Sequence, residues 1–399
     1  MKILNTETKN NVLAEMEKIL NENRSEPLQA NQKDLDAFDL KDQALYDRLV
    51  VDHKKIDQMI KAIREVRLQP DPVNREISKR ELDNGLKITN KTAPFGTIMI
   101  IYESRPDVTV EAAVLAFKAN NKILLKGGKE AYHSNKVLVR FWHRALGANG
   151  LFKDYIQFLE MDREQTQEFL RNPDQDLDLI VPRGGERLIS FVKEHARCAV
   201  LVSGRGNNFL YIDEKTDWQQ SIKVILNAKT HKISACNALD KILIHSGIDD
   251  HKGKIIDLGN ILKANGVALL VDENIKEVLN DESLITSASV WKEEFLSMKC
   301  CIGSVASLQD AIGKINTYSG GHSATIMTTE RKTADMFMQE VDCAAVYHNA
   351  STRFTDGGQM GVGAELAIST DKLHHRGPLG LNQLVTNKYH IYGNGQIRE

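Results

Sequence analysis

The chain has 399 residues, with 54 acidic against 52 basic side chains, a net charge of −2 and 42% hydrophobic residues. This length corresponds to roughly two or three domains, with enough apolar residues for large cores without disulfide bonds. A nearly neutral chain provides no long-range field for a polyanion, which argues against nucleic acid and anionic membranes as main partners. The composition therefore favours a globular protein that binds small molecules.

The first seven residues are mostly polar, which predicts neither a signal peptide nor a transit peptide. The longest apolar runs, such as residues 97–102, have the length of a strand and not of a membrane-spanning helix. The cysteines are odd in number and show neither a CxxC pattern nor a Cys/His metal spacing: Cys198, Cys236, Cys300, Cys301 and Cys343. We therefore expect a cytoplasmic protein without a membrane segment or a bound metal.

Apolar residues recur at helical spacing up to about residue 68 in a highly charged background, which predicts amphipathic helices. Two prolines, Pro70 and Pro72, then interrupt the pattern. Residues 80–89 predict a β-hairpin around Asn84 and Gly85, because these residue types tolerate the positive φ of a tight primed turn. A ribbon is therefore expected after the helices.

Strand-like and helix-like segments alternate from residue 96 onwards. The predicted strands are 96–102, 122–126, 155–158 and 177–181, and the predicted helices are 108–118, 129–146, 163–171 and 185–194. This alternation is typical of right-handed βαβ units on a parallel sheet. A second alternating block runs from residue 241 to about residue 347. The predicted fold class is therefore α/β, with two doubly wound domains.

Three glycine-containing loops follow predicted strands and are candidates for binding phosphate, since glycine lets a backbone approach a ligand closely. They are residues 126–130, which begin with Lys126, residues 182–185, which end with Gly184 and Gly185, and residues 203–207. Each loop alone is more typical of an ordinary turn, and none matches the dinucleotide-binding pattern GxGxxG. Together they predict a ligand site at the carboxyl edge of a parallel sheet.

Cys236 is the best candidate for a nucleophile. Three basic side chains precede it within seven residues: Lys229, His231 and Lys232. Nearby positive charge lowers the pKa of a thiol and favours the nucleophilic thiolate. The other cysteines lie in or beside apolar runs, where a cysteine is more typically a small buried hydrophobic residue.

Residues 347–358 carry many hydrogen-bonding side chains next to a predicted strand. Such a segment suits a pocket for a polar, anionic substrate, and it also suits a solvated loop. Arg353 lies in this segment and is able to bind a carboxylate or a phosphate through two parallel hydrogen bonds. The residues alone leave these alternatives open.

Several motifs, in unbroken order from about residue 70 to Arg398, resemble those of one enzyme family. They are Tyr102-Glu103-Ser104-Arg105-Pro106-Asp107-Val108-Thr109, Lys126-Gly127-Gly128-Lys129-Glu130, His133-Ser134-Asn135, Pro182-Arg183-Gly184-Gly185, Asn227-Ala228-Lys229-Thr230, Cys236-Asn237-Ala238, residues 349–357, Arg376-Gly377-Pro378 and Gly380-Leu381. On these residues the chain resembles glutamate 5-semialdehyde dehydrogenase, also called gamma-glutamyl phosphate reductase. That family belongs to the aldehyde dehydrogenase superfamily.

The resemblance implies the NADPH-dependent reduction of L-glutamyl 5-phosphate to L-glutamate 5-semialdehyde, the second step from glutamate to proline. In this reaction the thiolate of Cys236 would attack the acyl phosphate and form a thioester that accepts a hydride. The resemblance also implies further site residues. They are Asn227 for the oxyanion, Lys126, Gly184, Gly185 and Glu294 for the cofactor, and Arg105, Asn349, Ser351 and Arg353 for the substrate.

The same resemblance implies a domain organisation and partners. A cofactor-binding domain would span residues 1–225, a catalytic domain 226–372, and a return segment with an oligomerisation tail 373–399. A ribbon at about 78–92 would join that tail in a homo-oligomer, either a dimer or a dimer of dimers. A glutamate 5-kinase is a further partner to consider, because the acyl phosphate is labile.

Some positions depart from the family pattern. Asn208 and Phe209 stand where many members have a Cys-His pair, and residues 298–301 replace a mostly aliphatic run. Val202 stands where hydrolytic aldehyde dehydrogenases have a glutamate that activates water, which suits a thioester that goes to phosphate. Two alternatives therefore stay open: a related acyl-phosphate or acyl-thioester reductase with another substrate, and a non-catalytic paralogue.

Overall fold

The computed structural model describes residues 2–39, 43–279, 283–285 and 287–398. Its helices are α1 (Thr6–Glu22), α2 (Ser25–Asp36), α3 (Gln43–Leu49), α4 (His53–Leu68), α5 (Pro106–Lys118), α6 (Tyr132–Ala148), α7 (Arg163–Arg171), α8 (Glu186–His195), α9 (Trp218–Thr230), α10 (His251–Ala264), α11 (Glu273–Lys276), α12 (Ala288–Lys292), α13 (Leu308–Tyr318) and α14 (Arg331–Glu340).

Its strands are β1 (Glu76–Glu81), β2 (Lys87–Pro94), β3 (Thr97–Tyr102), β4 (Lys122–Gly127), β5 (Ile156–Phe158), β6 (Leu179–Arg183), β7 (Ala199–Val200), β8 (Asn208–Ile212), β9 (Leu239–His245), β10 (Ala268–Val271), β11 (Ser283–Leu284), β12 (Lys299–Val305), β13 (Ser323–Met327), β14 (Ala345–His348), β15 (Ile368–Ser369), β16 (Gly377–Pro378) and β17 (Val385–Tyr392). None of the helices in the described ranges is both long enough and apolar enough to cross a membrane.

The chain folds into two compact units. The first consists of Met1–Val202, Gly361–Ala367 and Leu379–Glu399, and the second of Ser203–Met360 and Ile368–Pro378. The end of the first long segment differs from the predicted boundary at residue 225, because β8 hydrogen-bonds into the sheet of the second unit. The assignment of cofactor binding to 1–225 and of catalysis to 226–372 stays a prediction.

The N-terminal helices form because their apolar residues share one face. In α1, Val12, Met16 and Leu20 are fully buried at intervals of four residues. The side chains of Asn5 and Asp52 cap α1 and α4, since each accepts a hydrogen bond from a backbone N–H of the first turn. The helices predicted for the first 68 residues are confirmed in the described part of that segment.

The parallel sheet of the first unit has the strand order β5-β4-β3-β6-β7. Both faces of β3 are buried: Ile98 and Ile100 pack into one core, while Met99 and Ile101 pack into another. Tyr102 at the end of β3 pairs with Gly127 of β4 and Arg183 of β6. The loops after these three strands therefore begin side by side at one edge of the sheet.

The predicted hairpin is present as β1 and β2, and β17 pairs with β2 to complete an antiparallel ribbon in the order β1-β2-β17. Its turn is wider than the predicted primed turn. The Leu82 N–H donates to the Leu86 carbonyl at 2.9 Å, so three residues form the loop. Gly85 takes the left-handed conformation, with φ of 84°, as the last residue of such a loop commonly does.

The sheet of the second unit has the order β11-β10-β12-β9-β8-β13-β14 in the described residues, and its strand pairs are parallel. In β8, Leu210 and Ile212 pack into one core, while Phe209 and Tyr211 pack into another. Cores on both faces are expected of a doubly wound parallel sheet. The predicted α/β fold class with two such domains and a small ribbon is therefore confirmed.

Candidate active site

Cys236 lies in the loop between α9 and β9 and is half-buried. Its backbone is held by the buried side chain of Asn208, whose amide nitrogen donates to the carbonyl oxygens of Gly206, Cys236 and Ala238 at 2.8, 2.8 and 2.6 Å. Gly206 packs so closely that a β-carbon there would lie 1.9 Å from the Cys236 carbonyl oxygen. The nucleophile loop, residues 231–238 around the predicted nucleophile, is therefore fixed from the side of β8.

The residue after the nucleophile fixes a second loop. The amide nitrogen of Asn237 donates to the carbonyl oxygens of Arg353 at 3.2 Å and Thr355 at 2.9 Å. In return, the Thr352 hydroxyl donates to the Asn237 carbonyl at 2.8 Å. The loop that carries Arg353 is thereby tied to the loop that carries Cys236.

The Arg353 guanidinium is half-buried and interacts electrostatically with Cys236 and Asp356. Burial lowers the pKa of Arg353, because desolvation disfavours its charged form. Its Nε and Nη1 atoms are buried and have no hydrogen-bond partner among the described residues. Its Nη2 atom lies 3.5 Å from Nδ1 of His231. Arg353 therefore has two donors to which the described residues offer no acceptor.

Asn349 and Ser351 support this loop through hydrogen bonds within the chain. Asn349 has a left-handed backbone, with φ of 53°, and its amide group exchanges hydrogen bonds with the backbone of Thr328 at 2.8 and 3.0 Å. The Ser351 hydroxyl accepts from the Arg353 N–H at 3.3 Å and is buried. Both residues hold the backbone that leads to Arg353, and their predicted contact with substrate stays a prediction.

Asn227, predicted to stabilise the oxyanion, lies on an exposed position of α9. No hydrogen bond joins its side chain to Cys236 in the described part of the chain. On the same helix, Lys229 forms a buried ion pair with Asp240, with Nζ and Oδ1 3.0 Å apart. The role of Asn227 stays a prediction.

Glu294 is half-buried in the loop between α12 and β12. This loop is anchored to β9: the Phe295 N–H donates to the Asp240 carboxylate at 2.9 Å, and Lys241 donates to the Glu293 carbonyl at 2.7 Å. Lys241 also lies 3.7 Å above the Phe295 ring. The strand that follows the nucleophile loop therefore also positions the segment of Glu294.

The predicted cofactor residues of the first unit lie at the carboxyl ends of β4 and β6. Lys126 is half-buried, its ammonium donates to the Gly127 carbonyl at 2.9 Å, and burial lowers its pKa. Gly185 immediately precedes α8, and its N–H donates to the Glu103 carboxylate at 3.1 Å. A β-carbon at Gly184 would lie 2.4 Å from the same carboxylate. The neighbouring strands thus bring Lys126, Gly184 and Gly185 to one edge.

Arg105 lies in the same unit, directly before α5, and donates to Asp107 at 3.4 Å. Asp107 is buried, and the positive charges of Arg105 and Lys55 favour its ionised form. Burial raises the pKa of the neighbouring Glu111 to about 7. Arg105 therefore belongs to a cluster of charged groups, and its predicted role in substrate binding stays a prediction.

Sequence reasoning missed Asn208, Gly206 and Asn237 as supports of the nucleophile. It interpreted residues 203–207 as a phosphate candidate, but Gly206 packs against Cys236, and a β-carbon at Gly204 would lie 2.2 Å from the Thr370 hydroxyl. The glycines of this loop are required for close chain packing. The one available signal was the buried-strand pattern after Asn208, which implied that its amide needed internal acceptors.

No protein-family model matches the chain. Gamma-glutamyl phosphate reductase 2 from Bacillus licheniformis is 40% identical to it over 402 residues, which cover 100% of this chain and 94% of that protein. The crystal structure of gamma-glutamyl phosphate reductase from Thermotoga maritima is 39% identical, with a TM-score of 0.94 over 99% of this chain and 95% of that one.

The chain belongs to the gamma-glutamyl phosphate reductase family. An acetylating aldehyde dehydrogenase from Geobacillus thermoglucosidasius is 16% identical, with a TM-score of 0.70 over 99% of this chain and 94% of that one, and shares the fold. The predicted family, an oxidoreductase family with an aldehyde dehydrogenase fold, is thereby confirmed.

Proposed function

We propose that this protein catalyses the NADPH-dependent reduction of L-glutamyl 5-phosphate to L-glutamate 5-semialdehyde and phosphate, the second step of proline synthesis from glutamate. The observation that carries the proposal is the half-buried Cys236, whose backbone is held by Asn208 and which interacts electrostatically with Arg353. Membership in the family supports the choice of substrate.

In the proposed reaction, the Cys236 thiolate attacks the carbonyl carbon of the acyl phosphate. The bond from this carbon to the phosphate oxygen breaks, and phosphate leaves with the electron pair. The resulting thioester accepts a hydride, which is the chemistry that a bound nicotinamide supplies. The carbon–sulfur bond then breaks, and the thiolate leaves with its electrons as the aldehyde forms.

The backbone of Cys236 is suited to stabilise the oxyanion. Asn208 and Gly206 restrain this backbone on the carbonyl side, and a restrained N–H pays no reorganisation cost during the reaction. We assign the oxyanion to the Cys236 N–H, with Asn227 as a second donor. Because Asn227 is exposed on α9, Asn227→Ala tests that second assignment through kcat.

The residues at the edge of the first sheet fit a dinucleotide. The N–H of Gly185 already donates to a carboxylate oxygen, so the start of α8 accommodates an anionic oxygen. Lys126 provides a cation for a ribose or its phosphate. Gly184 packs against Glu103, while Gly185 leaves room for close approach, because a β-carbon there would meet no atom within 4 Å. We propose that these three residues hold the cofactor, together with Glu294 at the nicotinamide ribose.

The preference for NADPH is tested with Lys126→Met, which keeps the length of the side chain and removes its charge. If Lys126 binds the 2′-phosphate, the KM for NADPH rises by about 10- to 100-fold, as expected for the loss of charged hydrogen bonds, while the KM for NADH changes little. Equal changes in both KM values would assign Lys126 to the ribose. No change in either value would remove Lys126 from the cofactor site.

The thioester is tested by rapid mixing of the protein with L-glutamate 5-semialdehyde and NADP in the absence of phosphate. Oxidation of the aldehyde on Cys236 produces a burst of reduced cofactor of about one equivalent, after which turnover is slow because no phosphate releases the acyl group. Cys236→Ser is expected to lose the burst. A folded wild-type protein without a burst would contradict the proposal.

We further propose a cytoplasmic homo-oligomer that assembles through the ribbon. On β17, Tyr389 and Ile391 are 60% and 59% exposed, and the edge of β17 away from β2 forms no strand pair in the described residues. Exposed apolar side chains on a free edge favour pairing with a second copy. A monomer at micromolar concentration in light scattering would contradict this.

A glutamate 5-kinase is the proposed source of the labile substrate.

A further inference from the structure

The guanidinium of Arg353 interacts electrostatically with Cys236 and also holds buried donors without partners. The Nε and Nη1 atoms make no hydrogen bond to any described residue. A buried donor without a partner costs free energy, and an anion with several oxygens removes that cost. Each of these two atoms shares an edge of the planar guanidinium with Nη2, and such a pair of neighbouring N–H donors matches two oxygens of a phosphate.

The nucleophile loop carries a further cation, Lys232, and the carboxylate of Asp356 lies near Arg353. His231 and Lys232 are exposed in the nucleophile loop, and His231 approaches the guanidinium at 3.5 Å. The nearby Asp356 carboxylate accepts hydrogen bonds from the N–H groups of Gly358 and Gln359 at 3.0 and 3.1 Å. The Asp356 carboxylate therefore forms its hydrogen bonds within its own turn, and none with Arg353 among the described residues.

The backbone that carries the guanidinium is rigidly linked to the nucleophile. Asn237 follows Cys236 directly and donates to the Arg353 carbonyl at 3.2 Å, while Ser351 accepts from the Arg353 N–H at 3.3 Å. These two hydrogen bonds hold the backbone of Arg353 beside the loop that carries Cys236. Such a restraint suits a group that must act on the reacting end of the substrate.

We propose that Arg353 binds the phosphoryl group of the acyl phosphate and, in the reverse reaction, inorganic phosphate; this inference rests on the proposed function. In the forward direction, Arg353 stabilises the charge on phosphate as the carbon–oxygen bond breaks. In the reverse direction, a phosphate oxygen attacks the thioester carbon, the carbon–sulfur bond breaks, and the Cys236 thiolate leaves with the electron pair. Each direction exchanges one bond for another without an added reactant.

The chemistry of the substrate distinguishes this role from binding of the α-carboxylate. The phosphoryl group is joined through a single oxygen to the carbon that Cys236 attacks, whereas three further carbons separate that carbon from the α-carboxylate. Arg353 lies in a loop that Asn237 ties to the loop of Cys236, and it interacts with the thiol, so its charge is placed for the phosphoryl end. The α-carboxylate requires a different cation.

The test measures the reverse reaction with L-glutamate 5-semialdehyde, NADP and varied phosphate for wild type, Arg353→Lys, Arg353→Gln and the control Arg331→Gln. Arg331 is 80% exposed in the same unit and pairs with Asp335. For Arg353→Gln, we expect the KM for phosphate to rise by about 10- to 100-fold, as for the loss of charged hydrogen bonds, with the KM for the aldehyde within about twofold. Arg353→Lys keeps the positive charge but lacks the paired N–H donors of a guanidinium, so its KM for phosphate is expected to lie between those of wild type and Arg353→Gln.

The burst without phosphate separates this inference from the proposed function. The Arg353 variants are expected to keep the burst, because hydride transfer to form the thioester precedes phosphate attack. A rise in the KM for the aldehyde with an unchanged KM for phosphate would overturn the inference in favour of the carboxylate. A wild-type protein without a burst would overturn the proposed function itself.

A measurement on the wild-type protein covers the case in which the variants do not fold. Phosphate bound beside the thiol is expected to slow alkylation of Cys236 by iodoacetamide, whereas chloride at the same ionic strength is not. Slowing that saturates with phosphate supports the site. An alkylation rate that does not depend on phosphate up to 100-fold excess over protein would overturn it.

Discussion

Asn208 donates a hydrogen bond from its side-chain amide to the carbonyl oxygen of Cys236 at 2.8 Å, across 28 residues of sequence. The same nitrogen also donates to the carbonyl oxygens of Gly206 and Ala238, so one buried side chain fixes the backbone around Cys236. The position that departs from the pattern of many family members thus holds the loop of the proposed nucleophile.

Asn208→Ala leaves three carbonyl oxygens without this donor, and Asn208→Asp places an acceptor against them. Each unsatisfied buried group costs about 1–3 kcal/mol, so both variants should unfold at lower temperature and lose most of kcat, with Asn208→Asp the more severe. Asn265→Ala removes an exposed amide that donates to one helix carbonyl and serves as the control. Wild-type kcat and melting temperature in both Asn208 variants would contradict the assigned role.

Gly206→Ala tests the close approach of β8 to the nucleophile. Because the added β-carbon would lie 1.9 Å from the Cys236 carbonyl oxygen, the backbone must move, and we expect kcat to fall at least about tenfold. Gly313→Ala in α13 meets no atom within 4 Å and should stabilise the protein by about 0.5–1 kcal/mol with unchanged kcat. Equal kinetics for the two variants would show that Gly206 has no positioning role.

Alkylation should select Cys236. Burial raises the pKa of Cys300 and Cys301 to about 12 and of Cys343 to about 11, and it also raises the pKa of Cys198. These thiols stay protonated at pH 7.5 and therefore react slowly. Mass spectrometry after brief iodoacetamide treatment should find the label on Cys236 and none on Cys236→Ser. Comparable labelling of several cysteines would contradict this selectivity.

His322 makes the free energy of unfolding depend on pH. Its ring is fully buried, and desolvation lowers its pKa from 6.5 to about 4. The unfolded chain therefore binds a proton between pH 6.5 and 4 that the folded chain does not bind, and stability falls as the pH falls through this window. Urea unfolding of His322→Asn should show a smaller loss of stability between pH 7 and 5 than wild type. An identical loss would refute the assignment.

The fold could be predicted from the sequence because the patterns that indicate helices and strands are local. The apolar run of β3 is buried on both faces, and α1 buries residues at helical spacing. The hairpin was located correctly, whereas its turn was predicted too tight, because Asn-Gly satisfies both a primed turn and the end of a three-residue loop.

Cys236 could be proposed as the nucleophile from its charged neighbours in sequence, but the contacts that hold its loop could not be predicted. Asn208 and Asn237 act through side-chain hydrogen bonds to backbone carbonyls 28 and 118 residues away. No periodicity or spacing encodes such contacts, which exist only once β8 and the Arg353 loop have packed against the nucleophile loop. Arg353 could be proposed as an anion binder from the sequence, while its electrostatic interaction with Cys236 required the structure.

The most direct test of the central claim is the absorbance of reduced cofactor when the protein is mixed with L-glutamate 5-semialdehyde, NADP and phosphate, with Cys236→Ala as the control. The account predicts formation of NADPH that requires phosphate in wild type and is absent from the folded control. Reduction of NADP that persists in Cys236→Ala, or no reduction by folded wild-type protein, would contradict it.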